Sequence, residues 1–319
     1  MSKSQIDLSV ENFVAVVTMN NPPVNAQGKQ FHEDMMQVMD EISDRDDIRV
    51  AILTGAGKCF SAGADLKAIT EQTGAPGKPW QHNRRARECF HSIVESRKPI
   101  IAAINGPALG AGLAVAASCD ILIAADTAAV GLPEINVGLL GGGRHAMRLF
   151  GHSKTRRMML TGLRLDGAEL YRLGVVEDCV PVSDLLNVAM ALAKEVAAKS
   201  PPAVVLAKHA LNAIEDMSLR DGYRFEQTIS VEVGRTKDAA ETARSFLEKR
   251  EPVVKDAERQ AKNQINGSLS RPFSGFLSSP IRQPTPAGSG LTIRGVTGEE
   301  VLAPILRPYA PALIASVPR

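Results

Sequence analysis

The chain predicts an α/β fold with buried parallel strand pairing, on three observations. Residues 50–54, 99–104 and 121–125 are short, continuous apolar runs, the pattern of strands buried on both faces. Segments of helical periodicity alternate with these runs through the first half of the chain. From residue 154 onward the pattern becomes helical, which places the chemistry in the first half and packing or self-association in the second.

In order, residues 13–19 (Phe-Val-Ala-Val-Val-Thr-Met) form a β-rich run closed by the turn Asn20-Asn-Pro-Pro23. Phe31, Met35, Val38, Met39 and Ile42 recur at helical spacing. Residues 50–54 make a buried strand ended by Gly55-Ala-Gly57, and a small-residue loop follows at Phe60-Ser-Ala-Gly-Ala-Asp65. Residues 74–80 read as a polar, mobile loop and residues 86–96 as a helix. The strand at 99–104 turns at Asn105-Gly-Pro107 into a helix of small residues at 111–118, then a strand at 121–125. Helices are predicted at 154–161, 166–173, 183–198, 202–215 and, as one long element, 219–248. Residues 266–319 are rich in Gly, Ser and Pro, a linker or disorder signature, and no internal repeat is present.

Composition narrows the function. A formal charge of +2 supplies no broad basic field, which disfavours nucleic acid as a partner. The longest apolar stretch, 101–117, is broken by Asn105, Gly106, Pro107, Gly110 and Gly112, so no membrane span is expected. The four cysteines (Cys59, Cys89, Cys119 and Cys179) include no CxxC pair. The first ten residues lack the apolar core of a signal peptide, and the two observations together predict a reducing, cytoplasmic setting with free thiols. The isolated histidines His32, His82, His91, His152 and His209 show no metal-ligand spacing, so no metal is expected.

Two segments carry the chemistry. Ser61-Ala-Gly-Ala-Asp-Leu66 follows a strand, and its small side chains let a ligand approach the backbone. Asn105-Gly-Pro-Ala-Leu-Gly-Ala-Gly112 is a glycine-rich lead into a helix, whose first N–H groups and positive dipole end suit an anionic oxygen. Donors from two such loops converging on one point form an oxyanion hole, which a thioester enolate requires.

Phe60-Ser-Ala-Gly-Ala-Asp-Leu66, Ala103 to Gly112, Ser118-Cys-Asp-Ile121 and Leu132-Pro-Glu-Ile-Asn-Val-Gly138 resemble, in order and spacing, the motifs of the crotonase (enoyl-CoA hydratase/isomerase) family. Leu160-Thr-Gly162, Leu173-Gly-Val-Val176 and Phe246-Leu-Glu-Lys-Arg250 resemble its later landmarks. The resemblance covers roughly the first 255 residues. It implies a crotonase (ClpP-like) spiral of ββα units, with a catalytic core at about 8–180 and a helical trimerisation region at about 181–255, leaving 256–319 as a tail. It further implies a homotrimer or a dimer of trimers, acting on an acyl-CoA thioester as substrate without a resident cofactor.

By the same resemblance the backbone N–H groups of Ala64 and Ala111 are the oxyanion donors, and Glu134 is the general acid/base. Ala62, Ala64, Asp65, Leu66 and Lys67, with Gly110 and Ala111, border the thioester and pantetheine arm. Phe246 and Lys249 fall where family members contact the CoA nucleotide across a subunit boundary. Outside the resemblance these residues have plainer readings: Glu134 as a loop cap or ion-pair partner, Asp65 as a cap for the following turn, Lys67 as a solvated lysine. Asp120 reads as fixing the start of a strand, and Met158 and Met159 as filler.

Two departures stand out. Hydratases of the family carry a second glutamate where this chain has Ala114. Alanine cannot position water, so a double-bond isomerase using one glutamate competes with the hydratase reading; a non-catalytic acyl-CoA-binding homologue is the third alternative. Arg144 and His145 replace glycines near the expected acyl pocket, where they read either as recognising a polar or carboxylate-bearing acyl group or as surface residues.

Overall fold

The computed structural model describes residues 4–67, 70, 76–250 and 252. The expectation of a tail at 256–319 lies outside the described residues.

Eleven strands are described: β1 (Ile6–Glu11), β2 (Val14–Met19), β3 (Ala26–Gln27), β4 (Val50–Gly55), β5 (Gly63–Ala64), β6 (Ile100–Ile104), β7 (Pro107–Leu109), β8 (Ile121–Ala125), β9 (Ala129–Gly131), β10 (Arg164–Asp166) and β11 (Cys179–Val180). The helices are α1 (Lys29–Asp44), α2 (Lys78–Glu95), α3 (Ala111–Ala117), a 3-10 turn (Pro133–Val137), α4 (Gly143–Leu149), α5 (His152–Thr161), α6 (Gly167–Arg172), α7 (Leu185–Ala197), α8 (Pro201–Ile214), α9 (Leu219–Gly234) and α10 (Lys237–Leu247).

The main sheet has six strands in the order β1-β2-β4-β6-β8-β11. β1 and β2 form an antiparallel hairpin, and every later pairing in this sheet is parallel, with Val14 opposite Val50, Ala51 opposite Ile100 and Ile101 opposite Ile121. Successive strand residues point to opposite faces, and here both faces are covered. Ala51 and Leu53 of β4 join one core with Phe31, Met35 and Ile42 of α1 and Ile93 of α2. Val50 and Ile52 join the other, against Leu185, Ala189, Ala193 and Ala197 of α7. Those four residues recur every fourth position, so α7 presents a single stripe to the sheet. Double-sided burial is why β4, β6 and β8 are continuous apolar runs. Each fully buried Ile or Leu there contributes roughly 1.5–3 kcal/mol.

Several expectations need correction. Residues 78–80 begin α2 instead of closing a loop: Gly77 has φ +82° and Pro79 occupies the first turn, where its missing N–H leaves no bond unmade. The long helix expected at 219–248 is two helices. α9 ends at Gly234, and Thr236 caps α10 by accepting a hydrogen bond from the Ala239 N–H at 3.1 Å. β1 was not anticipated, because only one of its faces is buried. Among the described residues no helix is long and apolar enough to cross a membrane.

Two small sheets complete the frame. β3 and β5 pair in parallel, with Gln27 opposite Ala64, while β7 lies parallel to β9 and β10 runs antiparallel to it.

Candidate active site

Polar side chains lock the two small-residue loops together. The Asn25 Nδ2 donates to the carbonyl of Cys59 at 2.7 Å, and the Ser61 hydroxyl donates to the carbonyl of Asn25 at 2.7 Å. Gln27 Nε2 donates to the same hydroxyl at 3.0 Å. Asn25, Gln27 and Ser61 are all fully buried. Asn105 ties the neighbouring turn: its amide bridges the N–H and C=O of Gly55, at 3.1 and 2.9 Å. Sequence reasoning assigned these four residues no role. The available signal was confined to Asn105, a polar residue placed directly after an apolar strand.

Ser61 also exchanges backbone hydrogen bonds with the turn into α3: its N–H donates to Pro107 O at 3.1 Å, and Leu109 N–H donates to Ser61 O at 3.0 Å. Two residues on, Gly63 packs so tightly that a Cβ there would lie 3.1 Å from the Ala111 nitrogen and strike the Leu109 carbonyl. Its φ of +94° independently favours glycine. Ala64 and Ala111, the two expected oxyanion donors, are therefore brought to adjoining edges of one contact. Both are half-buried. Ala111 opens α3, so its N–H is one of the first four that an α-helix leaves without an internal acceptor.

The acid arrives from the third sheet. β9 lies beside β7, and the Gly110 N–H donates to Gly131 O at 2.9 Å. Three residues after Gly131 the 3-10 turn delivers Glu134, whose Oε1 fills the space that a side chain on Gly110 would need. Glu134 Oε2 is buried without a hydrogen-bond partner. Burial pushes the carboxyl above its ordinary range, and the residue's own N–H pulls it partly back. A desolvated carboxylate beside the start of α3 is poised to move a proton.

The remaining expected residues are placed as follows. Ala62, Leu66 and Lys67 are exposed, and Asp65 is half-buried. Phe246 and Lys249 are exposed around the end of α10, remote in sequence from the loops, with Phe246 82% accessible. Ala114 is 1% exposed and belongs to the core. Arg144, which reads from sequence either as an acyl-pocket or as a surface residue, pairs its guanidinium with Asp216 at 2.7 Å on the surface. His145 packs edge-on against Phe90, ring centroids 5.1 Å apart, and burial, then Arg148, His91 and Arg144, pull it down to about 4. Burial thus disfavours the charged imidazole at this position. Asp120 takes the scaffold role expected of it, its Oδ2 accepting from Ile100 N–H at 2.7 Å and Lys208 Nζ at 2.8 Å. Met158 is fully buried in the core. Among the described residues no three His, Cys, Asp or Glu side chains are grouped to hold a metal.

Comparison with known proteins agrees with this fold. The profile of the enoyl-CoA hydratase/isomerase family matches residues 9–258. A probable mitochondrial enoyl-CoA hydratase of Dictyostelium discoideum is 36% identical over 244 residues, 75% of this chain and 87% of that protein. A short-chain-enoyl-CoA hydratase of Clostridium acetobutylicum is 34% identical over 255 residues, 78% of this chain and 97% of that protein. Among solved structures, an enoyl-CoA hydratase from Bacillus anthracis superposes with a TM-score of 0.74 at 32% identity, covering 79% of this chain and 99% of that one.

Proposed function

Because the chain belongs to the enoyl-CoA hydratase/isomerase family, we propose that it is an enoyl-CoA hydratase, adding water reversibly across the 2,3 double bond of an enoyl-CoA thioester. The observation that carries the reading is the Glu134 carboxyl, desolvated and lodged against Gly110 beside the two small-residue loops. In the forward direction, Glu134 takes a proton from water as its oxygen bonds to C3. The electron pair of the double bond moves through C2 to the thioester oxygen, where the N–H groups of Ala64 and Ala111 hold the charge. Glu134 then returns the proton to C2, completing the addition. A carboxyl pushed above its ordinary range suits a group that must both take and give. No resident cofactor is needed for these steps.

The half-exposed loop 62–67 supports its reading as the border of the pantetheine arm. Self-association as a trimer, or a dimer of trimers, is supported by large apolar side chains left open on α9 and α10: Leu219 at 91%, Phe246 at 82% and Leu247 at 81% exposed. Phe246 and Lys249 would then meet the CoA nucleotide of a neighbouring copy. A cytoplasmic setting is supported by four free thiols, three of them buried.

Ala114 favours a second reading, an isomerase that moves a proton along the acyl chain with Glu134 alone. Incubation with crotonyl-CoA and with a 3-enoyl-CoA separates the cases. Hydration adds the mass of one water, while isomerisation changes chromatographic retention at constant mass. Binding of both esters with neither change would sink both catalytic readings.

A further inference from the structure

Away from Glu134, the first turn of α1 and the start of α2 bring three nitrogen-bearing side chains together. His32 is 1% exposed, and its Nδ1 is buried without a hydrogen-bond partner. The His82 ring lies 5.8 Å from it, centroid to centroid. Arg85, one turn further along α2, buries its Nε, also without a partner. Among the described residues no acidic group pairs with His32, His82 or Arg85. Buried donors left unsatisfied are uncommon, and each calls for an explanation. His82 adds a third nitrogen-bearing side chain beside His32, and an anion with several acceptor oxygens would satisfy the two buried nitrogens.

We propose that His32, His82 and Arg85 form a subsite for the far carboxylate of a dicarboxylic acyl-CoA thioester, a substrate class that rests on the acyl-CoA reading above. Position supports the acyl end of the ligand. α1 starts two residues after Gln27, which pairs with Ala64 across β3 and β5, so the backbone path from Ala64 to His32 is no longer than about 15 Å. A five-carbon acyl chain on one side and an arginine side chain on the other span that interval. Burial, then His82 and Arg85, hold His32 down at about 4, so its imidazole would meet the carboxylate as a neutral hydrogen-bond donor, with Arg85 supplying the charge. Arg144, read from sequence either as meeting such a group or as a surface residue, pairs with Asp216.

Calorimetric titration of the full chain with glutaryl-CoA and with butyryl-CoA tests this. Neither ester carries a double bond, so turnover does not interfere. Glutaryl-CoA should bind about 10- to 100-fold more tightly, the range for hydrogen bonds to a charged group. Arg85→Met should abolish that difference and leave butyryl-CoA binding unchanged. Arg85 is only partly buried, so this variant should fold, and His82→Leu provides a second one. Equal binding of the two esters overturns the subsite while leaving the acyl-CoA reading intact. An equal loss for both esters in Arg85→Met places the anion on the nucleotide and also overturns it. Binding of neither ester overturns the acyl-CoA reading and the subsite with it.

Discussion

Glu134 and Gly110 compete for one volume: the carboxylate stands where a side chain on residue 110 would be. The contact joins two segments 24 positions apart through the β7–β9 pairing, and it fixes the acid relative to the start of α3. Glu134→Gln keeps that shape and removes the proton. Turnover should fall at least about 10²-fold while butyryl-CoA binding persists. A variant with near-normal kcat would remove Glu134 from the mechanism.

The same substitution makes a stability prediction with a definite sign. The Glu134 pKa is raised by folding, so the native state binds this proton more tightly than the unfolded chain does. Stability from this group is present below the unfolded carboxyl pKa and is lost as pH rises through the folded one. Above the folded carboxyl's pKa the ionised, desolvated carboxylate therefore opposes folding. Glu134→Gln should melt higher than wild type at pH 7, with the gap closing toward pH 4. A lower melting temperature at pH 7 would mean that the charge has a stabilising partner.

Ala111→Pro deletes one expected oxyanion donor at a helix position that accepts proline. The fold should survive, and kcat should drop by about 10²–10³-fold. Circular dichroism alongside the rate checks both halves of the claim. A folded, fully active variant would place the hole elsewhere.

Ala114→Glu should reduce activity. The methyl it replaces is 1% exposed within the core, so the carboxylate enters a packed interior with no partner built for it. It also adds negative charge near the start of α3, where Glu134 already sits. A clear gain in crotonyl-CoA hydration would show instead a hydratase that had merely lost its second acid.

Arg144→Ala should leave KM for acyl-CoA esters unchanged and cost less than about 1 kcal/mol of stability, because an exposed ion pair contributes little. A rise in KM would return Arg144 to the acyl pocket.

What could be read from sequence followed from how locally each feature is determined. β4, β6 and β8 were legible because burial on both faces forces every residue to be apolar. Residues 78–80 misled because Gly77 and Pro79, ordinary loop residues, here start a helix. The two alanines and Glu134 were legible only as motifs, since the pairings that bring them together join distant segments. The scaffold formed by Asn25, Gln27, Ser61 and Asn105 was not legible, because a polar residue in a connecting segment looks the same whether it faces water or holds a buried carbonyl. Nothing near Arg144 announces Asp216, 72 positions away. The buried nitrogens of His32 and Arg85 become notable only once the helices that carry them are packed side by side.

Lys208 of α8 reaches back to the front of the sheet. Its Nζ, 5% exposed, donates to the carbonyls of Ile93 and Lys98 and to Asp120, a partner 88 positions earlier. During synthesis, Asp120 and the β6–β8 pairing leave the ribosome well before Lys208 does. A nascent chain short of α8 thus holds a carboxylate at the start of β8 with its counter-ion still unmade. The start of β8 is not fully paired until α8 is translated. Halting the chain before residue 208 should release a protease-sensitive intermediate, whereas a stop after α8 should not.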